Sequence, residues 1–246
     1  MNGLDPEHVS LRLSSKQVLY FLSGIAFLLG FISGLGRLLR WYIWPPHTLG
    51  SRVAILFDVN LEGNVPAYYS SILILACVPL LLYVLAAEIK GSGRYTWHWA
   101  GLAALFIMLS LDEAIELHGM LNDPVARHLG TGDVIPFGWT IAAIIGLILL
   151  SSLYFRFFFS LPQNTQISFA LAGFLYVMGA VGFELVAGFL VSDHFQASVA
   201  HTYALATLSE HVEELLEMIG MSLFLYALLR HVRDEYGGIN LLVHLR

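Results

Sequence analysis

The chain has 246 residues and a formal net charge of −6, with 12% charged residues, 57% hydrophobic residues and a mean hydropathy of +0.73. That balance disfavours a water-soluble globule, and nothing in it resembles the basic face that a nucleic-acid binder needs. The single cysteine, Cys77, rules out a disulfide, a Cys-rich zinc site or an iron–sulfur cluster within one chain.

A membrane-spanning helix takes roughly 20 mostly apolar residues at about 1.5 Å each, and six runs meet or approach that length. The first covers 17–39. It follows a mixed polar segment and is too long for a cleavable signal, so it is expected to stay as a helix. Its Gly30-x-x-x-Gly34 spacing suits close helix packing. Trp41, Tyr42 and Trp44 behind it, like Trp97, Trp99 and Trp139 later, read as an interfacial aromatic belt.

The second run, 64–87, follows Asp58 and Glu62 and contains Pro79, a predicted kink. The third, 96–117, ends in Leu111-Asp112-Glu113-Ala114-Ile115-Glu116-Leu117-His118. The fourth covers 135–159. The fifth, 166–191, carries Glu184 between apolar neighbours. The sixth, 201–229, contains Ser209-Glu210-His211-Val212-Glu213-Glu214-Leu215-Leu216-Glu217. Short linkers such as Trp44-Pro45-Pro46, Gly91-Ser92-Gly93 and Leu161-Pro162-Gln163 leave no room for a second domain, so a single transmembrane domain is expected over 1–246.

An even number of crossings sorts the basic residues into two groups. Arg12, Lys16, Lys90, Arg94, Arg156, Arg230, Arg233 and Arg246 fall on one side, and Arg37, Arg40, Arg52 and Arg127 on the other. Eight against four favours a multi-pass protein of the plasma or inner membrane with both termini cytoplasmic.

Acids inside the runs carry the functional signal, since one charged side chain at mid-helix costs about 2.5–3.5 kcal/mol even on the lenient insertion scale. Glu113, Glu184 and Glu210 fall roughly 6–14 Å below the same surface, with Glu62 entering at that surface and Glu214 and Glu217 continuing inward. Glu210, Glu213, Glu214 and Glu217 share an arc of about 100° on the last helix. No lysine or arginine lies at that depth in runs three, five or six. Five uncompensated carboxylates would cost more than about 12 kcal/mol, so protonation, a wet vestibule or bound cations must offset them.

The expected fold is therefore all-α and polytopic, with about six transmembrane helices, of which the second, third, fifth and sixth form a four-helix bundle around the acids. Carboxylate with imidazole and no thiolate suits a metal ion, iron first, with manganese or zinc as other choices. Di-iron four-helix proteins take one Glu from each of two helices and a Glu-x-x-His pair from each of the others. Here Glu62 and Glu184 stand singly, and Glu113-x-x-Glu116 and His211-x-x-Glu214 have one-turn spacing. Neither pair reads Glu-x-x-His, so the parallel is architectural only.

On this reading Glu62, Glu113, Glu116, Glu184, Glu210, His211 and Glu214 are metal ligands, and Glu217 and Asp112 are catalytic proton-relay groups beside them. The centre, dinuclear if the parallel holds, would serve a metal-dependent oxidoreductase acting on a small or lipid-soluble substrate. His118 and His201 rank behind His211. His8, His98, His231 and His244 are expected to be solvated at the opposite surface, and His47, His128 and His194 to lie in loops. A structural reading stands beside each of these: a solvated first turn for the last helix, an acidic helix terminus for 112–116, a polar loop for Asp58 and Glu62. The competing functions are a proton- or cation-coupled transporter using the acidic column, and a haem-binding or non-catalytic subunit of a homo-oligomer or larger membrane complex.

Overall fold

The computed structural model describes residues 14–121, 139–191 and 199–237, and every regular element among them is helical. The first helix, α1 (Ser15–Tyr42), begins at a reciprocal cap: Gln17 N donates to Ser14 Oγ at 3.2 Å and Ser14 N to Gln17 Oε1 at 3.0 Å. A short helix, α2 (Leu49–Leu56), follows where the sequence reading expects only a linker. The backbone turns at Pro45-Pro46, and Thr48 then restarts a helix by accepting from Ser51 N at 3.3 Å. It lies on α1, where a Cβ at Gly36 would stand 3.1 Å from Ala54 Cβ.

Helix α3 (Val65–Lys90) is capped by Asn64, which accepts from Ala67 N at 3.2 Å, and carries Pro66 in its first turn, where the missing N–H costs nothing. Pro79 sits inside this helix. Helix α4 (Thr96–Ile115) stops at Glu116, whose left-handed backbone (φ 54°, ψ 50°) turns the chain into a 3-10 turn over His118–Leu121. Helix α5 spans Trp139–Ser160; its expected start at Ile135 lies outside the described residues. Helix α6 (Gln163–Val177) continues through a π-helical turn (Met178–Phe183) into α7 (Glu184–Val191). The last helix, α8 (Val199–Tyr236), has 38 residues and a length of roughly 57 Å.

Among the described residues, five helices are long and apolar enough to cross a membrane: α1, α3, α4, α5 and the α6–α7 rod. The run 201–229, expected as a sixth, belongs to α8, whose first half holds Glu210, Glu213, Glu214 and Glu217.

Helix α8 is the hub, packing on α1, α3, α6, the π turn and α7, while α3 also packs along α4. The contact of α1 with α8 widens the arrangement beyond the four helices expected. Lipid tails are as apolar as leucine, so close fit and polar contacts drive association of helices in a bilayer. Backbones approach closely where α8 crosses α6 and the π turn. A Cβ at Gly220 would meet Tyr176 N at 2.8 Å, and a Cβ at Gly179 would meet the Glu213 carbonyl at 2.8 Å. Phe106 of α4 and Phe169 of α6 both pack on Phe224 of α8, each with ring centroids 4.6 Å apart.

The far end of the bundle differs from expectation. His231 is 4% exposed, has Nδ1 3.2 Å from Thr165 Oγ1 and stacks on Trp99, itself 2% exposed. His98 packs among Tyr95, Tyr154 and Phe157. The helix continues past 229, so His231 falls on the same buried face as Phe224 and Leu228. Trp41 and Trp97 are exposed as a belt requires; Trp99 is core.

Candidate functional site

Where α1 ends, α3 begins, α4 ends and α7 meets α8, polar side chains gather in two adjoining groups. The first is an ion-pair knot. Arg37 Nε donates to Asp58 Oδ1 at 2.8 Å, and Arg40 Nη1 lies 3.6 Å from Asp58 Oδ2. Asp58 is 3% exposed. Its loop is pinned from three directions: Val59 N donates to Ser33 Oγ at 3.0 Å, Asn64 Nδ2 to the Asp58 carbonyl at 2.6 Å, and Asn60 Nδ2 to Glu210 Oε2 at 2.7 Å. His211 faces this knot, hydrogen-bonded to the Gly30 backbone and near Arg37. Arg37 and Arg40 thus share the one carboxylate of Asp58.

The second group is the carboxylate cluster. Glu113 of α4 approaches Ser70 of α3 and lies near Glu62 and Asp112. From α8, Glu214 stands near Glu113, Glu217, Glu62 and Glu184, and Glu217 near Glu113 and Glu213. Tyr176 of α6 stands among Glu217, Glu113, Asp112 and Glu214. No lysine or arginine occurs in the sequence of α4, α6 or α7, or in α8 before Arg230.

The π turn delivers Glu184. A π turn inserts an extra residue and resets the face of the helix that follows it, and such turns recur at functional sites. Glu184, the first residue after it, accepts from Trp139 Nε1 at 3.0 Å and brings its carboxyl into side-chain contact with that of Glu213. Ser209 Oγ backs the turn by donating to the Phe183 carbonyl at 3.0 Å. Glu213 is 9% exposed, and its Oε2 is buried without a hydrogen-bond donor.

The end of α4 delivers a histidine. His118 N donates to Asp112 Oδ1 at 2.7 Å and its Nδ1 lies 3.1 Å from Asp112 Oδ2, while the ring sits 4.8 Å from that of Trp139. Burial lowers the His118 pKa, but the bond to Asp112 and the charges of Asp112, Glu62 and Glu184 outweigh it, leaving a net rise. Glu62, at the open rim, is pushed up to about 7, first by desolvation and then by Glu116 and Asp112, with His118 opposing.

Of the expected ligands, Glu62, Glu113, Glu184 and Glu214 come together, with Glu217 and Asp112 beside them. Glu210 stands at the edge on Asn60, and Glu116 is exposed at the left-handed end of α4. His211 looks the other way. It lies about 160° around the helix from Glu213, so α8 presents the two to opposite flanks. The His201 side chain, His8, His128, His194 and His244 lie outside the described residues. Four participants fall outside the predicted set: Glu213, His118, Trp139 and Tyr176. Glu213 was legible as part of the acidic stripe; the others depend on the reversal after Glu116 and on helix pairings that periodicity does not encode. Among the described residues, no three His, Cys, Asp or Glu side chains converge closely enough to hold a metal ion.

No curated protein and no solved structure matches the chain. A family model, a domain of unknown function (DUF8692), matches residues 11–232. The chain belongs to the DUF8692 family, a domain of unknown function.

Proposed function

We propose that the chain is a six-span integral membrane protein, α8 being the sixth span, whose carboxylate cluster is a cation-binding centre within the bundle of α3, α4, α6–α7 and α8. The observation that carries this is the Glu184–Glu213 contact together with the donor-free Glu213 Oε2. Two carboxyls in contact in a largely buried site are stable only with positive charge or a proton between them, and no lysine or arginine occurs in α4, α6 or α7, or in α8 before Arg230.

The donor set of carboxylates plus His118 suits a hard or borderline divalent metal, iron first, then manganese or zinc. The corresponding activity is metal-dependent oxidoreduction of a small or lipid-soluble substrate, and the membrane itself is the first partner. Because no three side chains converge as they stand, loading would draw Glu184, Glu213 and Glu214 inward. Elemental analysis of detergent-purified protein tests this. Stoichiometric iron, manganese or zinc that is lost in Glu184→Gln and Glu213→Gln is the expected result; metal-free protein, or content unchanged in both variants, overturns it.

A proton- or cation-coupled role is favoured by one further observation: Glu210, Glu213 and Glu217 follow one another along α8, and Tyr176 stands beside the innermost. In that case protons shared pairwise replace the metal, and vesicle flux sensitive to Glu217→Gln replaces metal content as the readout.

A further inference from the structure

At the opposite end of the bundle, the start of α4 and the end of α5 enclose a groove of about 620 Å³ lined by Arg94, Tyr95, Leu153, Phe155 and Arg156 among others. A second hollow of about 550 Å³ shares Arg94, Tyr95, Phe155 and Arg156 with it and extends to Phe159. Arg94 lies in the turn before α4 and Arg156 on α5, and one tyrosine joins them. Arg94 lies over the Tyr95 ring at 5.5 Å, Tyr95 OH donates to the Arg156 carbonyl at 3.4 Å, and the ring packs on Phe157.

The charge balance here is unlike that of the neighbouring basic residues. Arg230 and Arg233 each have a carboxylate partner, the shared Asp234, at 3.3 and 2.7 Å. Arg94 and Arg156 have no carboxylate partner among the described residues. The face of α5 on the membrane-inward side of Arg156 is apolar and points outward: Leu153, three residues before it, is 71% exposed and Leu149, seven before it, 58%. Helix α5 is apolar enough to span a membrane and only 6% of its span is buried within the chain, so that face is left open to the lipid a spanning helix would meet. Two guanidinium groups without a carboxylate partner among the described residues, one in the turn before α4 and one near the end of α5, above a lipid-facing apolar slot, match a ligand with an anionic head and acyl tails.

We infer that the groove between the start of α4 and the end of α5 binds an anionic phospholipid, its phosphate held by Arg94 and Arg156 and its acyl chains lying along Leu153 and Leu149. The site is separate from the carboxylate cluster and stands whether or not the cluster holds a cation.

The test is lipid retention by the full-length, delipidated protein in detergent, read by native mass spectrometry. Phosphatidylglycerol is compared with phosphatidylcholine of the same acyl chains, and inorganic phosphate is tried as competitor. Phosphatidylglycerol is expected to be retained preferentially, with affinity falling about fivefold in Arg94→Gln and again in Arg156→Gln, the effect of one basic residue near an anionic surface. Arg156→Lys keeps the charge and is expected to keep the preference, as is Arg233→Gln. Equal retention of the two lipids overturns the proposal. So does a loss in Arg233→Gln as large as in Arg156→Gln, loss of the preference in Arg156→Lys, or displacement of the lipid by inorganic phosphate at matching concentration.

Discussion

Asp112 grips His118 twice, accepting from its backbone N at 2.7 Å with Oδ1 and meeting its ring Nδ1 at 3.1 Å with Oδ2. The double contact folds the chain back after Glu116 and puts an imidazole over Trp139, beside Glu62 and Glu184. Asp112→Ala removes both bonds and is expected to cost roughly 2–4 kcal/mol, while His118→Ala, which keeps the backbone bond, costs about half as much. Thermal unfolding in a mild detergent measures the difference; equal losses would mean that the backbone bond contributes nothing.

Asp58 is the counter-charge for both Arg37 and Arg40 and the anchor of the loop before α3. Breaking a largely buried pair by removing one partner leaves the other uncompensated, so Asp58→Ala is expected to destabilise by roughly 3 kcal/mol. Arg40→Gln, at the longer and more exposed contact, is expected to cost less than about 1 kcal/mol. The same unfolding assay reads both, and a larger loss in Arg40→Gln would contradict the assignment of Arg37 as the main partner.

Glycines separate tight crossings from open ones. At Gly179 and Gly220 an added Cβ meets backbone atoms at 2.8 Å, which cannot yield without parting α6 from α8. Alanine at either position is expected to destabilise by about 1–3 kcal/mol. At Gly24 and Gly34 nothing lies within 4 Å, so alanine there is expected to be neutral or to stabilise by up to about 1 kcal/mol. Losses at Gly24 and Gly34 matching those at Gly179 and Gly220 would contradict the crossing geometry.

These glycines show where sequence reading succeeds and stops. The Gly30-x-x-x-Gly34 spacing is visible, yet only Gly30 is close-packed, against the Leu215 side chain, while Gly34 faces open space. Apolar length located the five candidate spans, and depth counting made Glu113, Glu184 and Glu210 level with Glu214 further in, because both follow from rise per residue. The π turn before Glu184, the reversal after Glu116 and α2 depend on local backbone geometry that hydropathy does not carry. His211 stood beside the acids on a helical wheel; the partner helix on its own flank, α1, decided where it went.

Glu62 supplies a pH signature. Its pKa is about 7 in the folded chain against 4.5 for an ordinary glutamate, so the folded state holds the proton more tightly. Stability from this group is complete below about pH 4.5, declines as pH rises, and is lost once pH passes about 7. Glu62→Gln is expected to unfold at a temperature close to wild type at pH 4.5 and above it at pH 8. Parallel pH profiles for the two proteins would show that Glu62 is not desolvated.

If Glu184 and Glu213 hold a cation between them, Trp139, which donates to Glu184 Oε1 at 3.0 Å, is a native reporter of its arrival. Chelator-treated protein in detergent is titrated with manganous ion while tryptophan emission and proton release are followed, with Trp139→Phe as the reference for signal from elsewhere. The account predicts a saturable, Trp139-dependent change with protons released in wild type and no such change in Glu213→Gln. A titration with no saturable change in wild type, or the same curve in Glu213→Gln, contradicts it.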